Sequence, residues 1–173
     1  VGEVKMAVLE QSAKAAFLVK AGEDHIGRSL YVVGSDISIK ISTEDTGGAF
    51  AVFEDHTPAQ AGPPLHSHRY QDEWWYILKG RYRFQVDGEI ILAGPGDTVF
   101  AAKGTRHASQ NIGSETGVTL TTVVPGGLDV FFAELSEAVP RGTEPNPAAV
   151  APIFEKHDLE LIGPPLAVSL GIK

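Results

Sequence analysis

The sequence predicts an all-β fold, an antiparallel sandwich or barrel, and three observations point there. Eight short runs rich in β-branched and aromatic residues recur at 30–33, 37–42, 50–54, 73–78, 82–86, 89–92, 98–101 and 118–124, set between Gly, Asp, Asn and Pro. Asp87 and Gly88 form a two-residue loop between two of these runs, and the pair suits the type I′ hairpin turn. Tyr82, Phe84 and Val86 alternate with Arg81, Arg83 and Gln85, which gives that strand one dry face and one wet face.

The run at 73–78 is different, because both of its faces are apolar. Trp75 and Ile77 share a face with Glu73, while Trp74, Tyr76 and Leu78 cover the other. An apolar outer face on a small sandwich predicts a cover, either a terminal segment or a second subunit, and a homodimer is expected. Beyond the last run, 127–135 has helical spacing behind two glycines. A second helix is expected over 148–157, after the proline-containing link 140–147. Both helices lie outside the histidine segments. Gly-Pro-Pro-Leu occurs at 62–65 and again at 163–166, and reads as coincidence because the second copy lacks histidines.

A chain of 173 residues suits one domain with a real core, 1–173. Lys plus Arg total 14 against 22 for Asp plus Glu, a formal net charge of -8, and no basic run marks a phosphate-binding stripe. Nucleic acid is therefore not an expected partner. The absence of cysteine excludes disulfides, thiolate metal sites and cysteine nucleophiles. Nothing asks for an oxidising compartment, so a cytoplasmic location is expected. No apolar stretch reaches the ~20 residues that span a bilayer. Residues 1–14 carry Glu3 and Glu10 where a secretory leader would be continuously apolar, so no membrane association is expected.

The strongest functional signal is His66 and His68, followed by Glu73 and much later by His107. Residues i and i+2 of a strand share a face, so the first two imidazoles can address one ion from extended backbone. The preceding Pro63 and Pro64 exclude a helix interior. Glu73 lies an odd number of residues past His68, so a turn over 69–72 must deliver it from a second strand. His107, behind Gly104, Thr105 and Arg106, comes from a third place. Three imidazoles and one carboxylate suit iron, nickel, cobalt, manganese, zinc or copper, a divalent transition metal whose identity the ligands do not choose. His25, His56 and His157 stand alone and read as ordinary polar residues, as does Arg106.

His66, His68, Glu73 and Gly80 match the first motif of the cupin superfamily, and Gly96, Gly104, His107 and Asn111 match the second. Ala102 stands where that second motif has proline, and Gln60 where the first has its leading glycine. More broadly the chain resembles single-domain cupins similar to bacterial quercetinases, which are flavonol 2,4-dioxygenases. The residues that carry this are 43–48, 62–68, Asp72 with Glu73, and 124–127 before Phe131 and Phe132. The resemblance implies a double-stranded β-helix, or jelly-roll barrel, with its core at about 28–125 and a C-terminal helical extension over about 126–173. It also implies one metal held by His66, His68, Glu73 and His107, and a dioxygenase acting on a small aromatic or enolisable substrate.

In that reading Glu73 is the catalytic base, because a carboxylate can take a proton while the imidazoles hold the ion. Phe53, Trp75, Phe84, Phe100 and Phe131 are candidates for the apolar wall of the substrate pocket, and Phe132 for its entrance. A sugar isomerase or small-acid decarboxylase on the same site is the alternative, together with a non-catalytic small-molecule-binding cupin.

Overall fold

The computed structural model describes residues 16–27 and 29–171. Residues 1–14, read above as too polar for a leader, and Arg28, the expected start of the barrel core, lie outside them. In chain order the strands are β1 (Leu30–Val32), β2 (Ser35–Ile41), β3 (Ala51–Thr57), β4 (Pro64–His68), β5 (Asp72–Lys79), β6 (Tyr82–Val86), β7 (Glu89–Ala93), β8 (Thr98–Ala101), β9 (His107–Asn111), β10 (Gly117–Val124) and β11 (Leu159–Pro165). The helices are α1 (Leu128–Ala138), α2 (Pro147–Lys156) and the short α3 (Leu166–Ser169).

Two antiparallel sheets face each other. One runs β1-β2-β3-β10-β5-β8 and the other β11-β4-β9-β6-β7. Period-2 alternation decides what each strand buries. On β5, Glu73, Trp75 and Ile77 are buried while Tyr76 and Leu78 are exposed. On β6, Tyr82 and Phe84 are buried. Asp87 and Gly88 both take positive φ, 46° and 89°, as the type I′ turn requires. Gln60, at the glycine position of the first motif, adopts φ 63°, so this left-handed turn is kept without glycine.

The apolar interior falls into two clusters. One joins Ile39, Phe53 and Val123 to the helix residues Leu128, Phe131, Leu135 and Phe154. The other joins Trp75, Ile77, Tyr82, Phe84 and Val99 between the sheets. The helices thus cap one end of the sandwich.

Two strands escape the alternation pattern. β9 is dominated by polar residues, and β11 lies inside the stretch expected to be a helical extension. β4 pairs with β9 only at His66↔His107, and β11 supplies its other neighbour, with Leu159↔His68, Glu160↔Ser67 and Leu161↔His66. The two Gly-Pro-Pro-Leu copies are consequently apposed, with Gly163 opposite Leu65 and Pro165 opposite Pro64. Proline-interrupted segments pair here across irregular register. No helix among the described residues is long and apolar enough to cross a membrane.

Gly62 sets the approach to β4. A Cβ there would lie 1.9 Å from the Ser109 carbonyl oxygen, which is backbone and cannot swing aside. Gly62→Ala should cost at least about 2 kcal/mol in urea denaturation, whereas Gly94→Ala, with open space around its Cβ, should stay within about 0.5 kcal/mol of wild type. Equal stability of the two variants would show that the loop before the histidines is not held by this close approach.

Candidate metal centre

The four residues expected to share an ion come together. One ligand atom from each of His66, His68, Glu73 and His107 lies within 4.8 Å of the other three. β4 contributes the first two, β5 contributes Glu73 and β9 contributes His107. The pairing of His66 with His107 brings two imidazoles side by side, with ring centroids 4.5 Å apart.

Hydrogen bonds fix which nitrogen each ring offers. His66 Nδ1 is 2.8 Å from the Pro64 carbonyl oxygen, His107 Nδ1 is 3.0 Å from the Thr105 carbonyl oxygen, and His68 Nδ1 is 2.9 Å from Gln71 Oε1. Gln71 is itself oriented, because its Nε2 donates to the Gly126 and Pro125 carbonyl oxygens at 2.9 and 3.2 Å. All three partners are acceptors, so each Nδ1 carries a proton and each ring, when neutral, keeps a lone pair on Nε2; His107 Nε2 is also within hydrogen-bond distance of Glu73 Oε2.

Those lone pairs converge on a carboxylate. Glu73 Oε2 is 3.2 Å from His68 Nε2 and 3.0 Å from His107 Nε2. His68 Nε2 is buried and makes no hydrogen bond among the described residues. Neutral imidazole nitrogens facing a carboxylate need something positive between them, and a cation meets that need with all four atoms at once. The donor set fits a transition metal.

Burial holds the His66 imidazole well below its ordinary pKa, and neighbouring His107 and His68 add to the effect. Burial also lowers His68, against the opposing pull of Glu73. For Glu73, burial alone would raise the carboxyl, yet His68 and His107 outweigh it and keep it below the usual range. Neutral rings beside an ionised carboxylate are the protonation states that bind metal.

A cavity of about 90 Å³ opens beside this cluster. Trp75 and Tyr82 line it from the sheets, and Leu128, Phe131, Phe132 and Phe154 from the helices. The helices, although outside the histidine segments in sequence, therefore supply one side of the cavity. Burial pushes the Tyr82 phenol up to about 12, so it stays protonated.

Of the five residues expected to wall the pocket, Trp75 and Phe131 line it and three do not. Phe53 and Phe84 are fully buried one layer behind, Phe53 edge-on to Phe132 at 5.1 Å and Phe84 against Trp75 at 5.2 Å. Phe100 points outward. It sits opposite Trp74 while its neighbours Val99 and Ala101 face in, and it is 56% exposed. Arg106 is exposed and does not line the cavity. His25, His56 and His157 pair instead with Asp45, Glu54 and Glu134.

Sequence reasoning missed Gln71 and Asp55. Asp55 lines the cavity from β3, and Thr121 and Thr119 donate to its Oδ2 at 2.5 and 3.5 Å. Burial pushes its carboxyl up to about 6, against the Thr121 hydrogen bond and with the Glu73 charge adding to the rise. The threonines lie more than sixty residues away in sequence, so no local pattern announces them.

The two depressed histidines make metal-free stability depend on pH. Below the ordinary 6.5, the unfolded chain protonates at His66 and His68 before the folded chain does. Stability falls there by up to about 1.4 kcal/mol per pH unit for each ring. Asp55 opposes this below about 6, where the folded state takes up its proton first. Urea denaturation of metal-free protein should show lower stability at about pH 5.5 than at about pH 7.5, and His66→Gln should remove roughly half of the loss. No loss between the two pH values would contradict the buried neutral state.

Residues 53–124 match the Cupin domain family. The chain is 27% identical over 114 residues to the tetracenomycin polyketide synthase protein TcmJ of Streptomyces glaucescens, covering 64% of this chain and 72% of that protein. KdgF from Halomonas sp. superposes with a TM-score of 0.57 at 19% identity, over 68% of this chain and 99% of that one. A single-substitution variant of Streptomyces PAC13 with uridine gives 0.57 at 11% identity, over 90% and 98%. The fold is the cupin jelly roll, and the Cupin domain match covers the strands that carry the four candidate ligands.

Proposed function

We propose that this protein is a metal-dependent cupin enzyme, a dioxygenase of the quercetinase-like kind acting on a small aromatic or enolisable substrate. The observation that carries the reading is the convergence of three imidazole Nε2 atoms and the Glu73 carboxylate at the wall of a mainly apolar cavity. A transition metal bound there would supply Lewis acidity, coordination positions for a chelating substrate and, for a redox-active ion, reactivity toward dioxygen.

The chain's own groups divide the remaining work. His66, His68 and His107 hold fixed orientations through their Nδ1 hydrogen bonds and do not transfer protons. Glu73 Oε2 lies against two of the rings, while Oε1 accepts no hydrogen bond among the described residues and is the atom free to take an enol proton. Trp75, Phe131 and Phe132 exclude bulk water around the reacting group.

Cavity size narrows the substrate. At about 90 Å³ there is room for roughly six to nine water-sized atoms. That suits a single hydroxypyranone or catechol-sized ring, and a flavonol would need the helix side to yield. The similarity to a polyketide synthase protein supports the same chemistry, since polyketides are rich in enolisable carbonyls.

Elemental analysis of protein purified without chelators or a nickel column should find one transition metal per chain. With that metal, an oxygen electrode should record uptake with flavonols or hydroxypyranones. Glu73→Gln should retain much of the metal and reduce the uptake rate by at least about 100-fold. Turnover without oxygen uptake would replace the dioxygenase by a decarboxylase or isomerase on the same site. No uptake with any of iron, nickel, cobalt, manganese, zinc or copper would end the quercetinase-like reading.

We further infer that a second copy covers the outer face of β5 and β8, where Tyr76, Leu78 and Phe100 are exposed. Sedimentation of wild type should give a dimer and Phe100→Arg a folded monomer. A wild-type monomer at high concentration would refute this.

A further inference from the structure

The cavity has a second polar end. β10 lies between β3 and β5, and the registers align Glu73 with Val123 and Ala51, Trp75 with Thr121 and Phe53, and Ile77 with Thr119 and Asp55. By alternation these residues share one face of the sheet. Asp55 therefore faces the same interior as Glu73, two strands across and two rows along, with the Trp75 and Thr121 row between them.

The hydrogen bonding of Asp55 is lopsided. Both threonine hydroxyls address Oδ2, and Thr119 and Thr121 are themselves 3.3 Å apart. Oδ1 accepts no hydrogen bond among the described residues, and Asp55 lines the cavity. Asp55 is only half-buried, so Oδ1 is not sealed in protein but open to the cavity that the residue lines. Here one oxygen is anchored and the other is left for the contents of the cavity.

We propose that Asp55, held by Thr121 and Thr119, is a recognition pole that accepts a hydrogen bond from a hydroxyl group of the substrate, at the end remote from the atoms that chelate the metal. The inference rests on the metal-centre reading and deepens it: the substrate is a compact chelator that also carries a distal hydroxyl. The acceptor-only character of an ionised carboxylate excludes a second carboxylate or ketone at that end. It selects hydroxylated over deoxy substrates, as sites built around a buried acceptor do.

Kojic acid and allomaltol make the test. They share the enol-ketone chelating unit and differ only by the hydroxyl on one exocyclic carbon. Zinc-loaded protein, redox-silent so that binding is read without turnover, should bind kojic acid at least about tenfold more tightly than allomaltol by calorimetry. Asp55→Ala should erase that ratio while leaving the allomaltol affinity within about twofold of wild type, since the metal end is untouched. A merely structural role would weaken both ligands alike.

The wild-type ratio stands without any variant, and Thr121→Val offers a milder one expected to reduce it. Equal binding of the two ligands by wild type, a ratio that survives Asp55→Ala, or no binding of either ligand would each overturn the proposal. Failure of oxygen uptake with kojic acid under every candidate metal would sink the dioxygenase reading and leave the binding ratio intact.

Discussion

Everything about the site depends on keeping four acceptor atoms together in a wall that water scarcely reaches. Bare nitrogens beside a carboxylate repel, and burial removes the solvent that would otherwise screen them. The backbone maintains the arrangement. His66 and His107 each reach the carbonyl two residues before themselves, Pro64 and Thr105, so both rings are locked to the strand start that delivers them. His68 has no such carbonyl and uses Gln71, whose amide is clamped to the 125–126 turn. That one side chain links the turn before β5 to the turn before α1, and so couples the ligand set to the helix that closes the cavity.

The central strand β10 does for the sheet what Gln71 does for the turns. It is hydrogen-bonded to β3 on one side and to β5 on the other, and the register is unbroken from Thr119 to Val123. The separation between Glu73 and Asp55 is consequently a property of the sheet and does not depend on a loop. Its inward residues run from Val123 beside the ligands to Thr121 and Thr119 beside Asp55, so polarity within one strand changes along the cavity. The reversal of the pattern expected of a simple core strand, with threonines buried where valines would pack as well, is what turns the interior into a site with two ends.

The first two histidines and the hairpin were legible from local spacing, and Glu73 and His107 from their positions in the two motifs. His66 and His68 share a strand face by spacing alone, and Asp-Gly sets a turn whatever surrounds it. The aromatic wall was not legible. Phe100 faces out because it pairs with Trp74, a fact of β5–β8 register that no run of four residues contains. Phe53 and Phe84 point inward as alternation requires, yet Phe132 and Trp75 stand in front of them. Asp55 lies just past the run read at 50–54 and acquires its chemistry from threonines on β10. β11 was hidden by Gly163, Pro164 and Pro165, which argue against a strand until β4 is seen to lack a neighbour on that side.

All four ligands and Asp55 fall within 53–124, whereas the residues that seal the cavity, Leu128, Phe131, Phe132, Phe154 and Leu159, follow it. The candidate ligands thus reside in the part that matches the Cupin domain family, and the size of the cavity is set by the C-terminal elements packed across the barrel end. The same ligand set behind a looser helix would admit a larger molecule without any change at the metal. Fold likeness at under 20% identity therefore speaks to the barrel, while the shape of the cavity is set by the contacts of α1, α2 and β11 with the sheet.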